Sequence, residues 1–142
     1  MNPPLLLDTH IVLWLDSGDH RLRPSTRNLI EETWRLGGNL QISAVSGWEI
    51  ACLFDRGHIE LDLAPEQWLS RFAARPGIAM LPLECQIAAR AYSFPGFNGR
   101  DPADRLLIAT AVATGSALVT YDRQITQFAR RYGKTQGFQV LT

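Results

Sequence analysis

The chain predicts an α/β fold, a parallel sheet with helices on both faces. Two observations carry that reading. Short apolar runs without polar alternation recur along the whole length, as strands buried on both sides require. Stretches with helical period separate them, and strands alternating with helices make a parallel sheet. A third observation says where to look for chemistry. Asp8, Glu49, Asp104 and Asp122 each lie near a junction that leads into a helix.

The elements follow in order. Residues 4–8 read as a buried strand, and 9–16 as a short helix that is apolar all round. Residues 25–36 form an amphipathic helix with Leu29, Ile30, Thr33 and Trp34 on one face, and Gly37-Gly38 stops it. A strand at 40–43 leads into a helix that runs to about Arg56 and ends at Gly57. The helix at 65–74 begins on Pro65 and turns Trp68, Leu69 and Phe72 inward. Residues 78–81 are a strand stopped by Pro82, 84–92 are helical, and Phe94-Pro95-Gly96-Phe97-Asn98-Gly99 is a loop. The helix at 102–114 is apolar enough to require burial. A strand at 117–120, a helix at 123–132 and an edge strand at 138–141 complete the chain.

With 142 residues and no repeat, linker or low-complexity tract, the chain fits a single domain with one core. No apolar run approaches the ~20 residues of a membrane-spanning helix, and no signal-peptide pattern is visible. Cys52 and Cys85 stand apart, giving neither a disulfide framework nor a zinc spacing, so a reducing cytoplasm is the expected location. A formal net charge of zero argues against a strong sequence-independent grip on nucleic acid. Thirteen of the 14 basic residues are nonetheless Arg, the side chain that clamps phosphate bidentately. Arg100, Arg105 and Arg123 lie beside the acids in sequence, where they serve either phosphate binding or surface solvation.

Each acid has a structural use. Asp8 or Thr9 caps the first helix, Asp122 caps its own, and Ser46-Gly47-Trp48-Glu49 fits a capping box. Asp101 precedes Pro102, which marks it as a cap with Asp104 in the first turn. Such caps contribute about 1 kcal/mol each, but Ser, Thr and Asn serve equally well. Four acids at separate junctions, three of them in apolar sequence, exceed what capping asks for. Ligands of open parallel sheets bind outside the carboxyl ends of the strands, and Asp8 and Asp122 fall there. A carboxylate cluster repels itself and needs a cation, and oxygen ligands favour Mg²⁺ or Mn²⁺ over zinc. His10, His20 and His58 show no ligand spacing and read as surface or packing residues.

The strings Leu7-Asp8-Thr9-His10, Ile42-Ser43-Ala44-Val45-Ser46-Gly47-Trp48-Glu49-Ile50-Ala51, Asp101-Pro102-Ala103-Asp104-Arg105-Leu106-Leu107-Ile108-Ala109-Thr110-Ala111 and Leu118-Val119-Thr120-Tyr121-Asp122 resemble the PIN-domain family. They are most similar to its VapC-type toxin ribonucleases, in order and across essentially the whole chain. The resemblance implies a parallel sheet of four or five strands between helices. It implies a Mg²⁺- or Mn²⁺-dependent endoribonuclease, a cognate antitoxin, operator DNA bound only through the antitoxin complex, and a homodimer. Carried over residue by residue, Asp8, Glu49, Asp104 and Asp122 match the four catalytic acids. Asp8, Asp104 and Asp122 would be the metal ligands, with Thr9, Asp101 and Thr120 supporting. Many relatives have a His before the Asp-Pro pair, where this chain has Gly99-Arg100.

In that reading the metal held by Asp8, Asp104 and Asp122 binds the scissile phosphate, and Glu49 or Asp122 orients the attacking water. Arg100, Arg105 and Arg123 are the nominated RNA contacts. Two other readings stand beside it. A non-catalytic PIN-like module would act through its partner complex at an operator. Trp14, Leu53, Phe54 and Trp68 serve either such a partner groove or the core. A phospho-aspartyl hydrolase or receiver domain also uses acids at strand ends. The hydrolase wants a second Asp where this chain has His10, and the receiver wants a late-strand Lys, whereas the only Lys is Lys134.

Overall fold

The computed structural model describes residues 2–142. The chain runs β1 (Leu5–Leu7), α1 (Thr9–Ser17), α2 (Pro24–Arg35), β2 (Leu40–Ser43), α3 (Ala44–Asp55) and α4 (Pro65–Ala73). It continues through β3 (Ile78–Leu81), α5 (Cys85–Ala89), α6 (Pro102–Thr114), β4 (Ala117–Val119), α7 (Arg123–Gln136) and β5 (Gln139–Leu141). The five strands form one sheet in the order β3-β2-β1-β4-β5, and every pairing is parallel. The last strand is an edge, as expected from the sequence.

The unbroken Leu5-Leu6-Leu7 run follows from the position of β1 at the centre. Side chains alternate across a sheet, so Leu5 and Leu7 enter the core on one face and Leu6 the core on the other. The first core joins them to Ile11 and Val12 of α1, Ile30 of α2 and the Trp68–Phe72 stack of α4. The second gathers Leu107 and Ile108 of α6, Ile125 and Phe128 of α7, and Phe94 and Phe97 of the loop before α6. Gln41, on β2 and buried, accepts from Ser116 Oγ at 2.5 Å. That bond satisfies a polar side chain which would otherwise destabilise the sheet.

Three elements differ from the sequence reading. The helix expected over 84–92 is only Cys85–Ala89, because Arg90 and Ser93 close a turn through the Ser93 amide and hydroxyl. The helix expected to stop at 132 runs on to Gln136. Gly133 does not end it: a Cβ there would lie 2.6 Å from the Phe138 carbonyl oxygen, so glycine lets the chain double back closely into β5. The capping box proposed over Ser46–Glu49 is absent. The cap of α3 is Ser43, whose hydroxyl accepts from the Val45 amide at 3.0 Å, so Ser46 and Glu49 sit inside the helix.

Strand order reverses at β1 and β4. Chain connections on one side of that pair lead to β2 and β3, and on the other to β5. Parallel sheets open a crevice beyond the strand ends at such a switch point. Asp8 follows β1 and Thr120-Tyr121-Asp122 follows β4, so both segments open onto that crevice.

Candidate active site

Asp8 is the best-anchored acid. Its backbone amide donates to the Val119 carbonyl at 3.0 Å, which extends the β1–β4 ladder by one residue. Its carboxylate caps α1 through the Thr9 amide (2.7 Å) and accepts from the Thr120 hydroxyl at 2.6 Å. The Thr120 oxygen in turn receives the Asp122 amide at 3.0 Å. Asp122 caps α7 by accepting from the Ile125 amide at 3.0 Å. One buried hydroxyl therefore couples two of the four predicted acids across neighbouring strand ends.

The second acid arrives from α3. With its capping duty gone, Glu49 accepts from the Thr9 hydroxyl at 2.6 Å, and that hydroxyl also lies 2.9 Å from Ser46 Oγ. Thr9 thus joins α1 to α3 beside Asp8. Burial pushes the Glu49 carboxyl up to about 7; the Thr9 hydrogen bond opposes the rise, and the charges of Asp8 and Asp101 add to it.

Asp104 occupies the first turn of α6 and is buried. Burial raises its carboxyl to about 8, followed in size by the charges of Asp122, Asp101, Asp8 and Glu49. No donor of the described residues offsets that rise. Asp104 therefore lies within electrostatic range of the other three predicted acids and of Asp101. Asp101 is the exposed cap of α6, accepting from the Ala103 amide at 3.0 Å, as the following Pro predicts. Its charge also bears on both Glu49 and Asp104, a contribution the cap reading did not include.

The three nominated arginines separate. Arg100 and Arg123 are exposed. Arg105 is half-buried and committed to the fold: it donates to the Phe97 carbonyl at 3.0 Å and its guanidinium lies over the Tyr92 and Phe97 rings. His10 is placed where its sequence gave no ligand spacing. Its Nδ1 is 3.6 Å from Asp8 Oδ2, its Nε2 accepts from the Tyr121 amide, and its ring packs against Trp14 and Tyr121. The available signal was its position two residues after Asp8, in the first turn of a helix starting at the site.

The donor set suits a hard divalent cation: carboxylate oxygens only, two of them carrying a penalty for ionisation that a cation would relieve. Among the described residues no three His, Cys, Asp or Glu side chains are closed around a common point. Thr9 and Thr120 hold Glu49 and Asp8 by hydrogen bonds.

Family comparison decides what this arrangement belongs to. The PIN domain model matches residues 5–131. The chain belongs to the PIN-domain family. Among PIN proteins it is 32% identical over 121 residues to ribonuclease VapC22 of Mycobacterium tuberculosis, spanning 85% of this chain and 88% of that relative. The fold also matches VapBC2 of Rickettsia felis, solved bound to a promoter DNA fragment, with a TM-score of 0.64, 13% identity and 96% of each chain covered. A toxin-antitoxin complex from Klebsiella pneumoniae matches with a TM-score of 0.61 and 18% identity, covering 97% of this chain and 96% of the other. PIN membership sets aside the phospho-aspartyl reading. Among the described residues no helix is long and apolar enough to cross a membrane.

Proposed function

We propose that this PIN domain is an endoribonuclease dependent on Mg²⁺ or Mn²⁺, and the toxin of a toxin-antitoxin pair acting in the cytoplasm. One observation carries the reading. The carboxylate of Asp104, a largely buried residue, accepts no hydrogen bond from the described residues and feels the charges of Asp122, Asp8 and Glu49 from three other elements. Helix capping accounts for Asp8 and Asp122 but not for the raised carboxyls of Glu49 and Asp104, and perturbed carboxyls in a crevice mark chemistry. The likeness to ribonuclease VapC22 supports RNA as the substrate.

Asp8, Asp104 and Asp122 would hold the ion, which supplies Lewis-acid neutralisation of charge on the phosphoryl oxygens. The chain's own groups do the rest. Thr120 fixes the Asp8 carboxylate and the start of α7 in one register. Glu49, poised near neutrality and oriented by Thr9, takes the proton from the attacking water. Asp101 adds negative potential at the mouth, and exposed Arg100 and Arg123 offset it for an incoming phosphate.

The toxin part of the reading draws on the toxin-antitoxin complexes that share the fold. Trp48 and Phe54 of α3 are 65% and 38% exposed, apolar surface available to an antitoxin segment. Operator DNA would be reached only through that complex, and a homodimer is the proposed assembly. The deciding experiment is incubation of the protein with total RNA in Mg²⁺, in Mn²⁺ and in EDTA, with mapping of cut ends. Defined cuts that vanish in EDTA are expected. Intact RNA under every metal condition would refute the nuclease.

A further inference from the structure

The acids account for bond cleavage but offer nothing to grip an RNA strand, and the molecule has no net charge to draw one in. The cations are not evenly spread. Within Arg123–Gln136, α7 carries Arg123, Arg130, Arg131 and Lys134 and no Asp or Glu. The Arg–carboxylate pairs of the described residues, at Asp19, Asp62 and Asp16, involve none of these four. A neutral protein thus has one helix of charge +4, and Asp122 is the cap that precedes it.

A cavity of about 490 Å³ opens along the same helix, between α7 and the loop before α6. Its lining is what a nucleotide needs. Asn98, Gln124 and Gln127 present amides, which pair with base edges. Tyr132, 37% exposed, offers the part of its ring that Phe128 and Gly96 leave open. Arg130 and Arg131 supply the phosphate-binding forks. The loop is seated closely on α7. Gly96 has φ +92°, and a Cβ there would fall 2.3 Å from the Tyr132 ring. A Cβ on Gly99 would lie 3.2 Å from Gln124 Oε1. Two of the cavity's lining residues are close in sequence to the acids: Gln124 is two residues past Asp122, and Gly99 two residues before Asp101. Arg130 lies eight residues beyond Asp122, or ~12 Å along the helix axis, a reach that suits a strand leaving the cleavage centre.

We infer that the cavity between α7 and the 96–99 loop is a nucleotide subsite for single-stranded RNA. It seats a base flanking the cut on Tyr132 and the Gln124 and Gln127 amides, with the adjoining phosphates on Arg130 and Arg131. The inference rests on the nuclease reading and adds a source of sequence preference that the acids lack. Direct amide readout makes that preference depend on the base, whereas the arginine contacts do not.

The test is binding of labelled single-stranded RNA to the full chain in EDTA, followed by fluorescence anisotropy across a salt series. Each phosphate contact adds ~0.7 to the slope of log affinity against log salt for single strands, so Arg130→Ala with Arg131→Ala lowers the slope by about 1.4 and affinity roughly tenfold at 0.15 M salt. Gln127→Ala leaves the slope unchanged and flattens the ranking among oligo(A), oligo(C), oligo(G) and oligo(U). Arg35→Ala with Arg56→Ala, removing equal charge elsewhere, leaves both measures alone. Equal losses in that control pair, or an unchanged slope in the α7 pair, overturn the subsite. So does a loss confined to duplex DNA. Cleavage in Mg²⁺ is scored on the same RNA. A parent that binds through α7 but never cuts refutes the nuclease; a parent that cuts while the α7 pair binds and cuts equally well refutes the subsite alone.

Discussion

Thr120 Oγ donates to Asp8 Oδ2 at 2.6 Å, and this contact spans 112 residues of sequence. It holds the carboxylate at the end of the central strand against the segment that begins α7, since the same oxygen receives the Asp122 amide. Groups that orient a ligating carboxylate typically contribute 10–100-fold to activity or metal affinity. Thr120→Val, which removes the hydroxyl and keeps the shape, is expected to lower RNA cleavage by that factor. Thr120→Ser should restore most of it. Equal rates for all three proteins in a single-turnover cleavage assay would remove Thr120 from the machinery.

Asp8→Asn and Asp104→Asn are each expected to abolish RNA cleavage while circular dichroism stays at the parent spectrum. Asn caps helices as well as Asp, so the Thr9 contact at Asp8 survives the change. An Asp8→Asn protein that cuts RNA at the parent rate would show the assignment of Asp8 to be wrong.

Asp104→Asn should also stabilise the protein, and only at higher pH. The folded-state carboxyls of Asp104 and Glu49 lie at about 8 and about 7, above the ordinary carboxylate range. The folded protein then keeps protons that the unfolded chain releases, so stability falls as pH rises from about 4 to about 8. Asp104→Asn removes the larger share of that fall. Its Tm should exceed the parent's by a few degrees at pH 8 and match it near pH 4. Mg²⁺ should raise the parent's Tm at pH 8 and do little for the variant. A parent whose Tm climbs steadily across this pH range would contradict the buried, mutually repelling cluster.

Asp101→Asn separates the two acids of the Asp-Pro motif. The cap to the Ala103 amide persists with Asn, so stability should hold. Only the negative potential on Glu49 and Asp104 is lost, and cleavage should drop modestly. Complete loss in Asp101→Asn beside full activity in Asp104→Asn would exchange their roles.

Arg105 and Arg123 should part company. Arg105→Ala loses the Phe97 carbonyl bond and the stacking on Tyr92 and Phe97, so thermal stability falls by a few degrees. Arg123→Ala, at an exposed site, leaves Tm unchanged and weakens RNA binding. A stable Arg105→Ala protein with weakened RNA binding would return Arg105 to the substrate.

The sequence by itself determined the layers, the parallel sheet and the edge position of β5, and it nominated the acids. These are local properties: an unbroken Leu5-Leu6-Leu7 run reports burial on both faces, and a Pro after Asp101 reports a cap. It also offered Ser46–Glu49 as a capping box, because the spacing alone cannot say which serine begins the helix. Only the tertiary structure decided that Ser43 caps α3, which leaves Glu49 to Thr9 of another helix. Only it placed His10 against Asp8, tied Arg105 into a loop and set a +4 helix beside a polar cavity. The physical reason is common to all of these. Helix starts and strand burial are written in neighbouring residues, whereas a shared hydroxyl, a repelling carboxylate pair or a cavity wall exists only once distant segments are packed together.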